Sequence, residues 1–190
     1  RAARSDLAST AVFDLNAKLD SGAVTVGEMA RLYPYENTLS AVRITGAQLR
    51  AYLEFSARYF GTYGTAEPPV HDDIPGYNFD IVAGADYTID LSRPAGSRLT
   101  SLTVRGKPVR DDDSFTLALN NYRRSGGGGY AMLKNAPEVY TGTAEIRDLL
   151  IAEVERRKHI APADYFEKNW SIVPAAAIAP AYDATHHWTP

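Results

Sequence analysis

Two short segments of this sequence combine residue types that could hold a flat, polar ligand. The first runs Asn120, Asn121, Tyr122, Arg123, Arg124 and Ser125, then four consecutive glycines, Gly126 to Gly129, then Tyr130. A strand there ends in two amides and an aromatic, residue types that can read a base edge and stack on its face, followed by two arginines. Four glycines in a row forfeit much chain entropy on ordering, which makes sense where something must approach the backbone closely. A mobile hairpin tip is the other reading of the same run. A Walker-type phosphate loop fits poorly, because that motif needs Lys and then Ser or Thr after its last glycine. Here Tyr130 follows.

The second segment is Tyr33-Pro34-Tyr35-Glu36-Asn37-Thr38. It presents an aromatic, Tyr35, and an amide, Asn37, at a rigid turn. Such a pair can stack on a base and read its edge. It can equally be a packed turn in which Asn37 bonds the local backbone.

Other chemistry finds little support. The chain has no cysteine, which excludes disulfides, thiolate metal sites and a cysteine nucleophile. Its four histidines are His71, His159, His186 and His187. Adjacent histidines on an extended chain point to opposite sides, so His186 and His187 read as exposed tail residues. His71-Asp72-Asp73 lacks a second cluster, and Asp111-Asp112-Asp113 reads as a solvated turn. There is no Gly-x-Ser-x-Gly elbow and no His-Glu-x-x-His pair. No catalytic residue and no metal ligand is therefore assigned, and the chain alone is expected to hydrolyse nothing. A formal net charge of -3 argues against a nucleic-acid polymer as partner. No apolar run approaches the ~20 residues of a membrane span.

The elements that must position these segments are partly visible. At 45% hydrophobic and 23% charged residues, a 190-residue chain can bury a sizeable core. The N-terminal stretch from Arg1 to Ser21, with Leu7, Val12, Phe13, Leu15 and Leu19, shows no clean period and predicts a short strand and a loop. Thr25-Val26-Gly27-Glu28 and Thr45-Gly46-Ala47-Gln48 are capping-box patterns, each predicting a helix. Pro34 should end the first of these. The second should bury Leu49, Tyr52, Leu53, Ala57 and Phe60 on one face. Strands are predicted over Thr38–Ile44 and around Tyr87–Leu91, Leu102–Val104 and Phe115–Leu119. A last helix, from about Thr143 to His159, should turn Ile146, Leu149, Leu150 and Val154 to the core. The fold class implied is α+β with a mixed or antiparallel sheet. The domain should occupy residues 1–160, followed over 161–190 by an irregular tail packed through Tyr165, Phe166 and Trp170.

Taken in order, several pieces resemble the C-terminal domain of the 5'-nucleotidase and 2',3'-cyclic-nucleotide phosphodiesterase family. They are Gly22 to Glu28, Leu32 to Leu39, Ile44 to Leu49, Tyr77-Asn78-Phe79-Asp80, and Asn121-Tyr122-Arg123 with its glycines. The resemblance spans roughly Asp6 to Lys158. It implies a two-domain enzyme whose N-terminal, calcineurin-like metallophosphatase domain holds two divalent metal ions and cleaves the phosphate ester. No cofactor is expected in this chain. The resemblance implies that Tyr35 and Tyr122 sandwich the base of a nucleoside or nucleotide, with Asn37, Arg123, Gly126 and Gly127 beside them. It also implies a periplasmic, cell-surface or secreted location. Tyrosine at both stacking positions is closer to the cyclic-nucleotide phosphodiesterase branch. The family's arginine-bearing segment is replaced by Ala11-Val12-Phe13-Asp14-Leu15-Asn16, and its acidic glycine-loop residue by Gly128. The helix that opens such domains is expected to lie outside this chain. A non-catalytic module that binds nucleosides or a partner, and a structural domain with a flexible loop, remain as other readings.

Overall fold

Capping, not length, starts the first two helices. The computed structural model describes residues 2–14 and 16–186; Leu15, His187 and the His186 side chain lie outside that description. In chain order the strands are β1 Leu7–Ala11, β2 Thr38–Thr45, β3 Asp80–Ala83, β4 Asp86–Asp90, β5 Leu99–Val104, β6 Lys107–Pro108, β7 Ser114–Asn120, β8 Glu138–Glu145 and β9 Trp170–Val173. The helices are α1 Val26–Leu32, α2 Gly46–Ala57, α3 Asn121–Arg124, α4 Ile146–Arg157 and α5 Ile178–His186. Both capping boxes form. Thr25 Oγ1 accepts from Glu28 N and the Glu28 carboxylate accepts from Thr25 N; Thr45 and Gln48 repeat the exchange at α2. Each satisfies two N–H groups that the helix itself cannot.

The strands build two sheets. The larger has the order β3-β1-β7-β2-β8 and the smaller β6-β5-β4-β9. Both are mixed: β1 runs parallel to β7, and β9 parallel to β4, while the remaining pairs are antiparallel. Helix α2 touches β2 and β3 of one sheet and β5 of the other. Its Leu49, Tyr52, Leu53 and Ala57 are buried. Each large apolar side chain buried this way contributes roughly 1.5–3 kcal/mol. Arg98, fully buried, closes the C-terminal end of α2: its Nη1 donates to Ala57 O at 2.7 Å and Phe60 O at 2.6 Å. A cation there satisfies free carbonyls and suits the helix dipole.

Two expectations are corrected. The helix expected from Thr143 begins at Ile146 as α4, because Glu138–Glu145 is an edge strand on β2, and it is not the last, since α5 follows. No residue of α4 is buried, and Leu150 stays 38% exposed. Helical periodicity marks a packing face without naming the partner, and here the face meets α1 outside the core. The segment after Ala161 is not irregular throughout. Trp170-Ser171-Ile172-Val173 pairs with β4 in register Tyr87↔Trp170, and α5 follows. Trp170 stacks on Tyr87, with centroids 6.4 Å apart at 14°, whereas Tyr165 and Phe166 are exposed. β-branched and aromatic residues form a strand here despite the proline and alanine around them.

Candidate functional site

One end of the larger sheet collects the segments singled out in the sequence. β1 and β7 are parallel, so both finish at the same end. β2 is antiparallel to β7 with Leu39 opposite Asn120, so the chain enters β2 where it leaves β7. β3 is antiparallel to β1 with Asp80 opposite Ala11, so the segment before β3 joins them. Four loops therefore meet: Phe13 after β1, Tyr35 and Asn37 before β2, Tyr77 before β3, and Tyr122 after β7. Together with Asn120 and Arg123 they line a cleft of about 210 Å³.

Tyr35 and Tyr122 are 44% and 48% exposed, high for aromatic side chains in a structured region. Each is braced from behind. Phe13 meets Tyr35 edge to face at 5.2 Å and 78°, and also meets buried Tyr33 at 5.0 Å and 81°. Behind Tyr122 lies Gly127, where a Cβ would fall 2.6 Å from ring atoms Cε2 and Cζ. The Tyr33 hydroxyl accepts from Asn120 Nδ2 at 3.3 Å and from Asn37 Nδ2 at 3.5 Å, drawing both amides to the cleft wall. Burial raises the Tyr33 pKa against the opposing pull of these hydrogen bonds, so the phenol stays neutral at physiological pH. The Asn37 carbonyl accepts from Ile146 N at 2.9 Å, which anchors the turn on the start of α4.

Arg123 belongs to the cleft wall, yet its guanidinium faces the protein. It is 4% exposed. Nε and Nη2 meet the two oxygens of buried Asp80 at 3.0 and 2.8 Å, Nη2 also donates to Tyr77 O at 2.7 Å, and Nη1 donates to Gly127 O at 3.0 Å. The Tyr130 ring lies 4.3 Å from its carbon Cζ. Burial pulls the Arg123 pKa down, but the hydrogen bonds and charge of Asp80 outweigh it and the net shift is upward. Tyr52 donates to the same Asp80 carboxylate, and burial raises its pKa well above the ordinary value. Burial raises Tyr130 likewise.

The structure thus brings Tyr35, Asn37, Tyr122 and Arg123 together. Gly127 stands behind Tyr122, and neither it nor Gly126 is among the residues lining the cleft. Sequence reasoning explained the glycines by ligand approach; the approaching groups are the protein's own. At Gly128, with φ +70°, a Cβ would fall 2.3 Å from Arg123 Nη1 and 2.4 Å from Asn78 Oδ1. Sequence reasoning gave no role to Phe13 or Tyr77, and marked Asn120 only as one of the two amides that end a strand. Phe13 follows a five-residue strand in a stretch without period, so nothing marked it. Tyr77 and Asp80 were visible only as part of the Tyr-Asn-Phe-Asp resemblance. Among the described residues, no group of three or more His, Asp or Glu could hold a metal ion. The resemblance places its two divalent ions in the N-terminal domain, outside this chain.

Strand order, capped helices and glycine turn together define an α+β domain of the kind found in nucleotide phosphoesterases. The family model for the 5'-nucleotidase C-terminal domain matches residues 1–135, and the chain belongs to that family. The chain is 33% identical over 178 residues to the 2',3'-cyclic-nucleotide 2'-phosphodiesterase/3'-nucleotidase of Haemophilus influenzae, covering 83% of this chain and 27% of that protein. It is 30% identical over 174 residues to the trifunctional nucleotide phosphoesterase protein YfkN of Bacillus subtilis, covering 83% of this chain and 12% of that one. A solved Staphylococcus aureus protein, described as a 5'-nucleotidase in complex with alpha-ketoglutarate, matches with a TM-score of 0.77 at 30% identity. That match covers 88% of this chain and 33% of the other. Among the described residues no helix is long and apolar enough to cross a membrane.

Proposed function

We propose that this chain is the substrate-binding domain of a two-domain, metal-dependent 5'-nucleotidase or 2',3'-cyclic-nucleotide phosphodiesterase. The carrying observation is that Tyr35, on the turn before β2, and Tyr122, in α3 after β7, are both about half exposed and line one cleft with Asn37. A base entering the cleft replaces water on its faces with aromatic carbon, worth ~1–3 kcal/mol per base on truncation. Asn37 meets the base edge. The phosphate then projects from the cleft toward the N-terminal metallophosphatase domain of the same polypeptide, which supplies the metals and the hydrolysis. In this reading Arg123 builds the wall, and Gly127, just after Gly126, lets Tyr122 settle against it. The family likeness favours a periplasmic, cell-surface or secreted parent. The alternative of a nucleoside-binding module without hydrolysis predicts the same cleft but no metal domain upstream.

Calorimetric titration of the chain with adenosine, guanosine, cytidine and uridine tests the reading. Saturable binding that Tyr35→Ala and Tyr122→Ala both weaken is the expected result. Absence of binding by all four nucleosides would refute it.

A further inference from the structure

The ion pair behind the cleft reaches the segments on which two cleft aromatics stand. Asp80 begins β3 and its side chain is 2% exposed; that of Arg123 is 5% exposed. Arg123 lies in α3 next to Tyr122, and through single hydrogen bonds its guanidinium holds Tyr77 O and Gly127 O. The Arg123 backbone N donates to Asn120 Oδ1 at 2.7 Å, capping α3. On the other side Asp80 is fixed to the core: Tyr52 donates to its carboxylate, Ser9 Oγ lies 2.8 Å from Tyr52 Oη, and Ser56 Oγ donates to Asp80 O at 2.6 Å. Tyr130 Oη donates to Asn78 O at 2.7 Å, tying the turn after Tyr77 to the end of the glycine run.

Such a pair is a poor way to gain stability. Desolvating both charges offsets most of their attraction, and well-packed apolar residues often do as well. What apolar residues lack is the ability to hold two loop carbonyls from one planar fork. We propose that the Asp80–Arg123 pair is the positioning device of the cleft, holding the segments that carry Tyr77 and Tyr122 in fixed register so that the wall is formed before ligand arrives. A preformed wall spares the ligand the cost of ordering it. The consequence for affinity rests on the nucleoside-binding reading; the ordering of the loops does not.

The test compares the 190-residue chain with the double variant Asp80→Leu/Arg123→Met, which leaves no uncompensated buried charge, and with Arg123→Lys, which keeps charge but not the fork. Hydrogen exchange of amides 76–78 and 121–129 is read without ligand, against amides of α2 and β7 as the internal standard. Adenosine affinity is read on the same samples. In whichever variant retains protection in α2 and β7, the loop amides should exchange at least tenfold faster and adenosine should bind roughly tenfold more weakly. Loop protection equal to the parent's overturns the proposal, and so does parental adenosine affinity in a variant whose loops have loosened. If the parent binds no adenosine, the functional reading fails, and loop exchange alone still decides whether the pair orders the wall.

Discussion

Phe13 stands edge-on to Tyr35, ring centroids 5.2 Å apart at 78°, and forms a wall common to two cavities. One is the aromatic cleft; the other is an apolar space of about 300 Å³ bounded also by Phe79, Trp170 and Ile178. An edge-to-face pair adds about 0.5–1.5 kcal/mol beyond its area. Phe13→Ala should therefore weaken nucleoside binding severalfold while both stacking tyrosines remain, and Phe13→Leu should recover part of the loss. Titration of the three forms with one nucleoside checks this. Equal affinities would mean that Tyr35 needs no brace.

The stacking tyrosines themselves should tolerate loss of the hydroxyl and not of the ring. Tyr35→Phe and Tyr122→Phe are expected to keep most nucleoside affinity. The alanine versions should each lose about one to two orders of magnitude, as ~1–3 kcal/mol of stacking requires. Binding constants for the four variants decide the matter. A phenylalanine variant as weak as its alanine counterpart would point to a hydrogen-bonding role.

Local sequence rules were legible and long-range order was not. Thr25 with Glu28, and Thr45 with Gln48, announced their helices because a capping box is complete within four residues. Tyr35, Asn37 and Tyr122 were legible as unusual residues at turns. Their meeting depends on β1 running parallel to β7 and on the register Leu39↔Asn120, which no local pattern encodes. The role of Asp80 was illegible for the same reason: the resemblance marked the residue, but its partner Arg123 comes from α3, 43 residues further along the chain. The periodic face of α4 misled because periodicity does not say whether a helix or the core lies opposite.

Gly128 should resist substitution. Its φ of +70° is one that side chains rarely adopt, and a Cβ would press on Arg123 Nη1 and Asn78 Oδ1. Arg123 cannot retreat without leaving Asp80, Tyr77 O or Gly127 O. Gly128→Ala is thus expected to destabilise the chain by about 1–3 kcal/mol, the range for strain at a special backbone position. Gly64, also at positive φ but with nothing within 4 Å of its Cβ, serves as control. Denaturant midpoints of Gly128→Ala and Gly64→Ala separate crowding from backbone strain. Equal losses would show that the Arg123–Asn78 neighbourhood is not tight.

Acid should loosen the entry to β1 through Asp6. Its carboxylate accepts from Thr116 N at 2.9 Å and Thr116 Oγ1 at 2.8 Å and pairs with Arg105 at 2.6 Å, pinning the chain to β7. The backbone hydrogen bond from Thr116 leads the causes that lower its pKa below 3.8, with burial opposing and Arg105 assisting. A lowered folded-state pKa means that the native state holds the charged form more tightly than the unfolded chain does. The stability it contributes is complete above the ordinary aspartate value and drains as pH falls below it. Asp6→Asn should lower stability at neutral pH and flatten its decline in the acid range. Urea unfolding from pH 7 downward measures both, and parallel curves for the two proteins would exclude Asp6 as a contributor.

The domain should not survive intact if it is cut where the sequence first suggested its edge. Removing residues 161–190 deletes β9, so Tyr87 N loses Asn169 O and Leu91 N loses Val173 O. Asn169 Nδ2 would no longer satisfy Val82 O and Ala85 O at the turn between β3 and β4. β4 would become an unpaired edge carrying Tyr87 and Ile89, both buried in the intact chain, and bare edges of this kind invite pairing between molecules. The apolar surface left by Trp170, against Tyr87 and Phe79, would meet water. Trp170→Ala alone should cost about 3 kcal/mol, the low end for truncating a large aromatic, since Trp170 is only half buried. The truncated chain should melt well below that variant and associate at rising concentration. Thermal melts and light scattering of the three forms test the point. A truncated chain that melts with the intact one would show that β9 merely decorates a domain already complete at residue 160.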